Sequence, residues 1–160
     1  MFLLTRSWRI AAAALVAALG LTVVGVATVG AKSAGKSDSA TAWVAVTHTV
    51  GKTLYLAGNV TDKVLGKGSI TYTVKAGIGT KPGTIKTSGT VTVFTTTGSL
   101  SGSVKGSEAT TSSGSVTETG ELDLSHGTGG QKGHSYVGTY TGTGTSATGP
   151  FVFHTTATYK

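Results

Sequence analysis

One acid in this chain stands where it could do chemistry. If the segment Ser115–Leu124 alternates with the period of two of a β-strand, Glu118 shares a face with Val116, Leu122 and Leu124, while Thr117, Thr119, Glu121 and Asp123 take the other. A carboxylate turned towards an apolar interior is costly unless a hydrogen-bond donor or water satisfies it, or it takes up a proton. Tyr72 and Tyr136 are the residues expected to supply that donor, so Glu118, Tyr72 and Tyr136 form the candidate ligand-binding set. The competing reading is that Gly120 introduces a bulge and rotates Glu118 outward. Glu118 is the single acid singled out on an apolar strand face, and no catalytic residue is assigned.

Other motifs dissolve once their structural requirements are considered. Gly30-Ala31-Lys32-Ser33-Ala34-Gly35-Lys36-Ser37 matches the phosphate-binding pattern G-x-x-x-x-G-K-S, but that motif works only between a strand and a helix whose N-terminus meets the phosphate. The next element expected after it is a strand, Trp43–Thr49, and not a helix, so neither a nucleotide nor any other cofactor is expected. Gly142-Thr143-Gly144-Thr145-Ser146-Ala147 imitates a dinucleotide fingerprint, again with no helix behind it, and is read as a turn. His48, His126, His134 and His154 lack the close spacing of metal ligands, so no metal site is expected. Serines are abundant, but no G-x-S-x-G elbow stands between a strand and a helix.

The elements that would position Glu118 are strands. Thr, Gly, Ser and Val dominate beyond residue 31; Thr and Val suit a pleated, half-buried surface, and Gly marks turns and bulges. The alternating segments are Trp43–Thr49, Thr53–Ala57, Ser69–Lys75, Thr84–Thr96, Ser99–Lys105, Ser115–Leu124, Ser135–Thr141 and Phe151–Tyr159. Gly51-Lys52 reads as a tight turn, residues 59–68 as a less regular stretch, and Gly89 as the site of a bulge or kink. Short one-sided strands with short connections most economically close on themselves, which removes exposed edges. The expected fold is therefore all-β, a single eight-stranded antiparallel β-barrel over residues 43–160, with a sandwich as the alternative. The chain has no cysteine, so burial and the sheet must hold it together.

Residues 1–31 read as a signal peptide: Arg6 and Arg9 without an acid, then an uncharged run from Ile10 to Ala31, with small residues at Val29-Gly30-Ala31 for cleavage. Ala40-Thr41-Ala42 is a second cleavage candidate, and residues 32–42 are expected to form a flexible lead-in. The alternative is an uncleaved anchor, because the apolar run approaches the roughly 20 residues that span a bilayer. The expected location is secreted or extracytoplasmic, with membrane attachment only through an uncleaved signal. Removing Arg6 and Arg9 lowers the formal charge from +7 to +5, and the remaining lysines are scattered. A basic stripe with aromatic platforms is missing, so nucleic acid is not an expected partner.

Two stretches, Ala57-Gly58-Asn59-Val60-Thr61-Asp62-Lys63-Val64-Leu65-Gly66-Lys67-Gly68, and Gly127-Thr128-Gly129 followed by Tyr136-Val137-Gly138-Thr139-Tyr140-Thr141-Gly142-Thr143-Gly144, resemble bacterial secreted members of the allene oxide cyclase and dirigent-like barrel group. Residues 130–135 lengthen the spacing before the aromatic relative to that group's Gly-Thr-Gly, aromatic, Gly, Gly-x-Gly rhythm. The resemblance implies an eight-stranded barrel with a lumen. It does not carry the plant enzymes' chemistry, because their functional residues have no one-by-one counterparts here.

Three functions remain. The first is non-enzymatic binding of a small apolar or aromatic molecule in the lumen. The second is a dirigent- or cyclase-like isomerase that uses the lumen carboxylate. The third is a pocketless surface or envelope protein that makes contacts through Thr-rich outer faces such as Thr90 with Thr92 and Thr139 with Thr141. An open, apolar lumen favours the first two and a filled one the third.

Overall fold

The computed structural model describes residues 34–160; the leader and the expected cleavage site after Ala31 lie outside them. The described chain runs through β1 (Lys36–Val50), β2 (Thr53–Asp62), β3 (Gly66–Ile78), β4 (Thr84–Phe94), β5 (Gly98–Thr110), β6 (Val116–Gly129), β7 (Tyr136–Gly144) and β8 (Phe151–Tyr159). Each strand pairs antiparallel with the next, and β8 returns to β1 from Lys36↔Tyr159 to Val44↔Phe151. Every strand therefore has two partners, and the sheet closes into one barrel; the sandwich alternative falls. Closure satisfies the backbone groups that an edge strand would leave unpaired.

Alternation sends one face of each strand into the lumen. On β2, β3, β5, β6 and β7 it is the even-numbered face, and on β4 and β8 the odd-numbered one: Leu56, Ile70, Val104, Val116 and Tyr140 are buried with Val91 and Phe153. An eight-stranded barrel is just wide enough to be filled by side chains or to hold one small ligand. Here both occur. Ala42, Val60, Ile70, Val91, Val93, Leu100, Leu124 and Tyr136 pack one end, and the other end is open enough to leave a cavity.

Most strands are longer than the sequence patterns indicate, although β4 stops at Phe94, short of the expected Thr96, and β8 has the expected bounds. β1 begins at Lys36, so residues 36–42, expected as a lead-in, belong to the barrel, and Asp38 and Ala42 are buried. Their small and polar lumen face hides the alternation, and pairing with β8 decides the matter. Residues 59–68, expected to be irregular, complete β2 and open β3 around a short turn that Asp62 caps. Lys36 and Ser37 of the phosphate-loop look-alike open a strand rather than a helix.

No bulge occurs at Gly89: the register runs through it unbroken on both sides. Glycine is needed there for another reason, since a Cβ would strike the backbone carbonyl of Thr73. Gly120 also stays in register, opposite Gly106 on β5 and Tyr140 on β7. The irregularity in β6 lies nearer its end, where pairing steps from Leu124 to His126 against Gly102 and Ser101. Glu118 is thus beyond its reach and remains on the lumen face.

Candidate functional site

Glu118 is 9% exposed and points into the barrel with Val116, whereas Thr117, Thr119, Glu121 and Asp123 face out. Its Oε1 accepts two hydrogen bonds, from the Thr87 hydroxyl at 2.6 Å and from the Tyr140 hydroxyl at 2.8 Å. Bonds this short between hydroxyl and carboxylate belong to the stronger class. No hydrogen bond from a described residue reaches Oε2, and that oxygen is not sealed from the lumen.

The trio is made possible by one row across four strands. Thr87 on β4 lies opposite Gly106 on β5, Gly106 opposite Gly120 on β6, and Gly120 opposite Tyr140 on β7. The Tyr140 ring lies over Gly120, where a Cβ would sit 2.6 Å from ring atoms. Its hydroxyl ends over Gly106, where a Cβ would collide with that hydroxyl and come within 2.7 Å of Glu118 Oε1 and 2.8 Å of Thr87 Oγ1. Two glycines side by side leave the hollow in which three polar groups meet. Burial, reinforced by the Glu118 charge, pushes the Tyr140 hydroxyl well above the usual tyrosine range, and burial does the same to Tyr72. Both phenols keep their protons at neutral pH, so they act as donors and not as bases.

Beside this trio lies a cavity of about 220 Å³, lined chiefly by Leu54, Leu56, Val74, Val104 and the rings of Tyr72, Tyr140, Phe151 and Phe153. Phe153 is the hub: its ring centroid is 5.6 Å from that of Tyr140, edge-on, 5.8 Å from that of Tyr72 and 6.0 Å from that of Phe151. Ile85, 38% exposed, and Ala147 mark the rim. Glu108 lines the same cavity, directly opposite Glu118 in the β5–β6 register. Burial and the Glu118 charge both push the Glu108 carboxyl up. The lining includes no Lys, Arg or His.

The candidate set is therefore partly reassembled. Tyr72 does line the cavity with Glu118 but does not hydrogen-bond to it; the Glu118 charge adds only to the shift of its phenol. Tyr136 is in the lumen but near the other end, because β7 places it opposite Leu124 while Gly142 faces Glu118. Tyr140, four residues further along β7 on the same face, takes the donor role expected of Tyr136. Thr87 and Glu108 were also missed. The available signal was parity: Thr87 shares a face with Val91 and Val93, and Glu108 with Leu100 and Val104.

Nor is Glu118 the single inward acid. At the packed end Asp38 (2% exposed) and Asp62 (6%) come together beside Tyr136 and a small cavity of about 30 Å³. Asp62 Oδ1 accepts the amides of Val64 and Leu65 at 2.8 and 2.6 Å, and Asp38 Oδ1 accepts that of Ser39 at 2.7 Å. Among the described residues, Asp38 Oδ2 and the Tyr136 hydroxyl are buried without a hydrogen-bond partner. Burial, with the Asp62 carboxyl alongside, pushes Asp38 up to about 6. Gln131 closes this end, donating to Thr97 Oγ1 at 3.0 Å and accepting the Tyr159 hydroxyl at 3.1 Å.

The histidines are dispersed. His48 stacks on Tyr55 with ring centroids 4.1 Å apart, His134 stacks on Tyr159 at 4.9 Å, and His154 lies 3.2 Å from the Thr41 hydroxyl on the outer face. No group of three metal-ligating side chains forms among the described residues. Comparison of the chain with family models, with curated proteins and with solved structures finds no match.

Proposed function

We propose that this chain is an exported β-barrel protein that binds a small apolar or aromatic molecule in its lumen without transforming it. The observation that carries this reading is the cavity of about 220 Å³ at one end of the barrel, walled by aliphatic and aromatic side chains, with one carboxylate held at its side by Thr87 and Tyr140. An apolar concavity with a few fixed polar groups is the usual form of a small-molecule site. Its size supports a single-ring ligand: it exceeds the roughly 150 Å³ of a cavity that accepts benzene and falls below the roughly 300–1,000 Å³ of drug-sized pockets. The export component rests on Arg6, Arg9 and the apolar run to Ala31.

The test is titration with toluene and with phenol, followed by NMR. Saturable shifts at Leu56, Tyr72, Val104 and Phe153, with none at the outward-facing Trp43, are the expected result. Absence of any saturable lumen shift with either probe would overturn the reading.

A cyclase- or isomerase-like role is the second reading, and one observation favours it. Glu118 is positioned as a base beside Tyr140, a phenol that keeps its proton and can donate to a developing oxyanion. It ranks below binding because the carboxylate already spends Oε1 on two protein donors, which hold it as a fixed acceptor.

A further inference from the structure

Resting on that reading of the lumen, we infer that its ligand is a small organic cation, a single-ring or similarly compact apolar body bearing one protonated amine whose nitrogen sits between Glu118 and Glu108. Two carboxylates occupy directly opposed positions on β5 and β6, and both line the same cavity. Like charges placed directly opposite each other on neighbouring strands destabilise the pair. Here no lining Lys, Arg or His offsets them; the Thr87 and Tyr140 hydroxyls already donate to one oxygen of Glu118, and the Tyr72 hydroxyl, though it lines the cavity, does not bond to that acid. A cavity for neutral apolar molecules would be served better by any uncharged side chain at position 108. A bound cation reverses the sign of the interaction and turns both acids into partners.

Geometry and wall chemistry point the same way. Thr87 and Tyr140 both converge on Oε1, which fixes the carboxylate and leaves Oε2 turned to the lumen as an acceptor for an ammonium hydrogen. Beside the acids the wall is aromatic, with Phe153 grouped against Tyr72, Tyr140 and Phe151. Aromatic faces attract ammonium groups and also suit a ligand ring. An anionic ligand would meet two carboxylates in a cavity of low polarity, which excludes fatty acids and phosphate esters. A divalent metal ion is disfavoured by the walls, since calcium takes about 6–8 oxygen ligands and most of this lining is hydrocarbon.

Three probes with the same ring and similar length separate these cases: phenethylamine, phenethyl alcohol and phenylacetate, each titrated calorimetrically into the purified protein at neutral pH. The amine should bind about tenfold or more tightly than the alcohol, a difference of roughly 1.4 kcal/mol, and phenylacetate should not bind. Glu118→Gln should bring the amine down to the affinity of the alcohol, and Glu108→Gln should remove part of the preference. Circular dichroism verifies that each variant keeps its sheet. If Glu118→Gln does not fold, the wild-type comparison of amine with alcohol and the Glu108→Gln variant decide the matter. Equal affinity for amine and alcohol, or an amine preference that survives in Glu118→Gln, overturns the cation inference while the lumen remains a binding site. If none of the three binds and toluene also fails, the lumen reading itself is wrong.

Discussion

Tyr140 hands its hydroxyl hydrogen to Glu118 from the neighbouring strand, at 2.8 Å and across the bare backbone of Gly120. The contact joins a buried acid to the aromatic wall of the cavity, so it links the stability of the barrel to the shape of its site.

Removing that hydroxyl alone should therefore be felt in stability. Tyr140→Phe keeps the ring against Phe153 and leaves Glu118 with Thr87 as its one protein donor. A hydrogen bond to a charged group contributes about 1.5–3 kcal/mol, and denaturant unfolding should show a loss in that range. Thr87→Val should cost a similar amount, and the double variant less than the sum, because both act on the same oxygen.

Gly106→Ala tests the hollow beneath the trio. Its Cβ would collide with the Tyr140 hydroxyl and press on Glu118 and Thr87, so the three cannot all stay in place. Overpacking of this kind costs about 1–3 kcal/mol. Gly77→Ala is the control, since its Cβ meets only the Lys86 carbonyl oxygen, at 3.9 Å. Thermal unfolding should distinguish the two clearly, with Gly77→Ala close to wild type.

Glu118 and Glu121 are separated by the pleat. Glu118→Gln should leave the sheet intact and alter ligand binding, whereas Glu121→Gln, on the outer face, should change stability by less than about 0.5 kcal/mol and leave binding untouched. Unfolding curves and calorimetric titrations on both variants check this, and equal effects would mean that the two acids do not face opposite ways.

Asp38 gives the barrel a pH dependence of definite sign. Its folded-state value of about 6 lies above the ordinary 3.8, so the native chain holds more protons than the unfolded chain between those values. The stability associated with Asp38 is fully present below about pH 3.8 and is lost as pH rises through about 6. Glu108, also pushed up, contributes with the same sign. Asp38→Asn should flatten the dependence of the unfolding midpoint on pH across this window, and Asp38→Asn with Glu108→Gln should flatten it further. A midpoint that rises across the same window in wild type and not in Asp38→Asn would contradict the assignment.

Much of this molecule was legible in the residue order, for reasons of local physics. A strand alternates its side chains strictly, so Val116, Glu118, Leu122 and Leu124 declared one face without knowledge of their neighbours. β-Branched residues between glycine-bearing turns marked the strands, and Gly51-Lys52 and the bounds Phe151–Tyr159 agree with the observed elements. What the alternation could not reveal is which residues of different strands meet. The relative slide of β6 and β7 puts Tyr140 and not Tyr136 over Gly120, and it took two further pairings to bring Thr87 across Gly106. Closure of β8 on β1 likewise drew residues 36–42 into the wall and set Asp38 near Asp62. Facing is a property of each strand and is written locally, whereas partnership depends on register between strands. Register is fixed only when the whole lumen is packed and the barrel has closed.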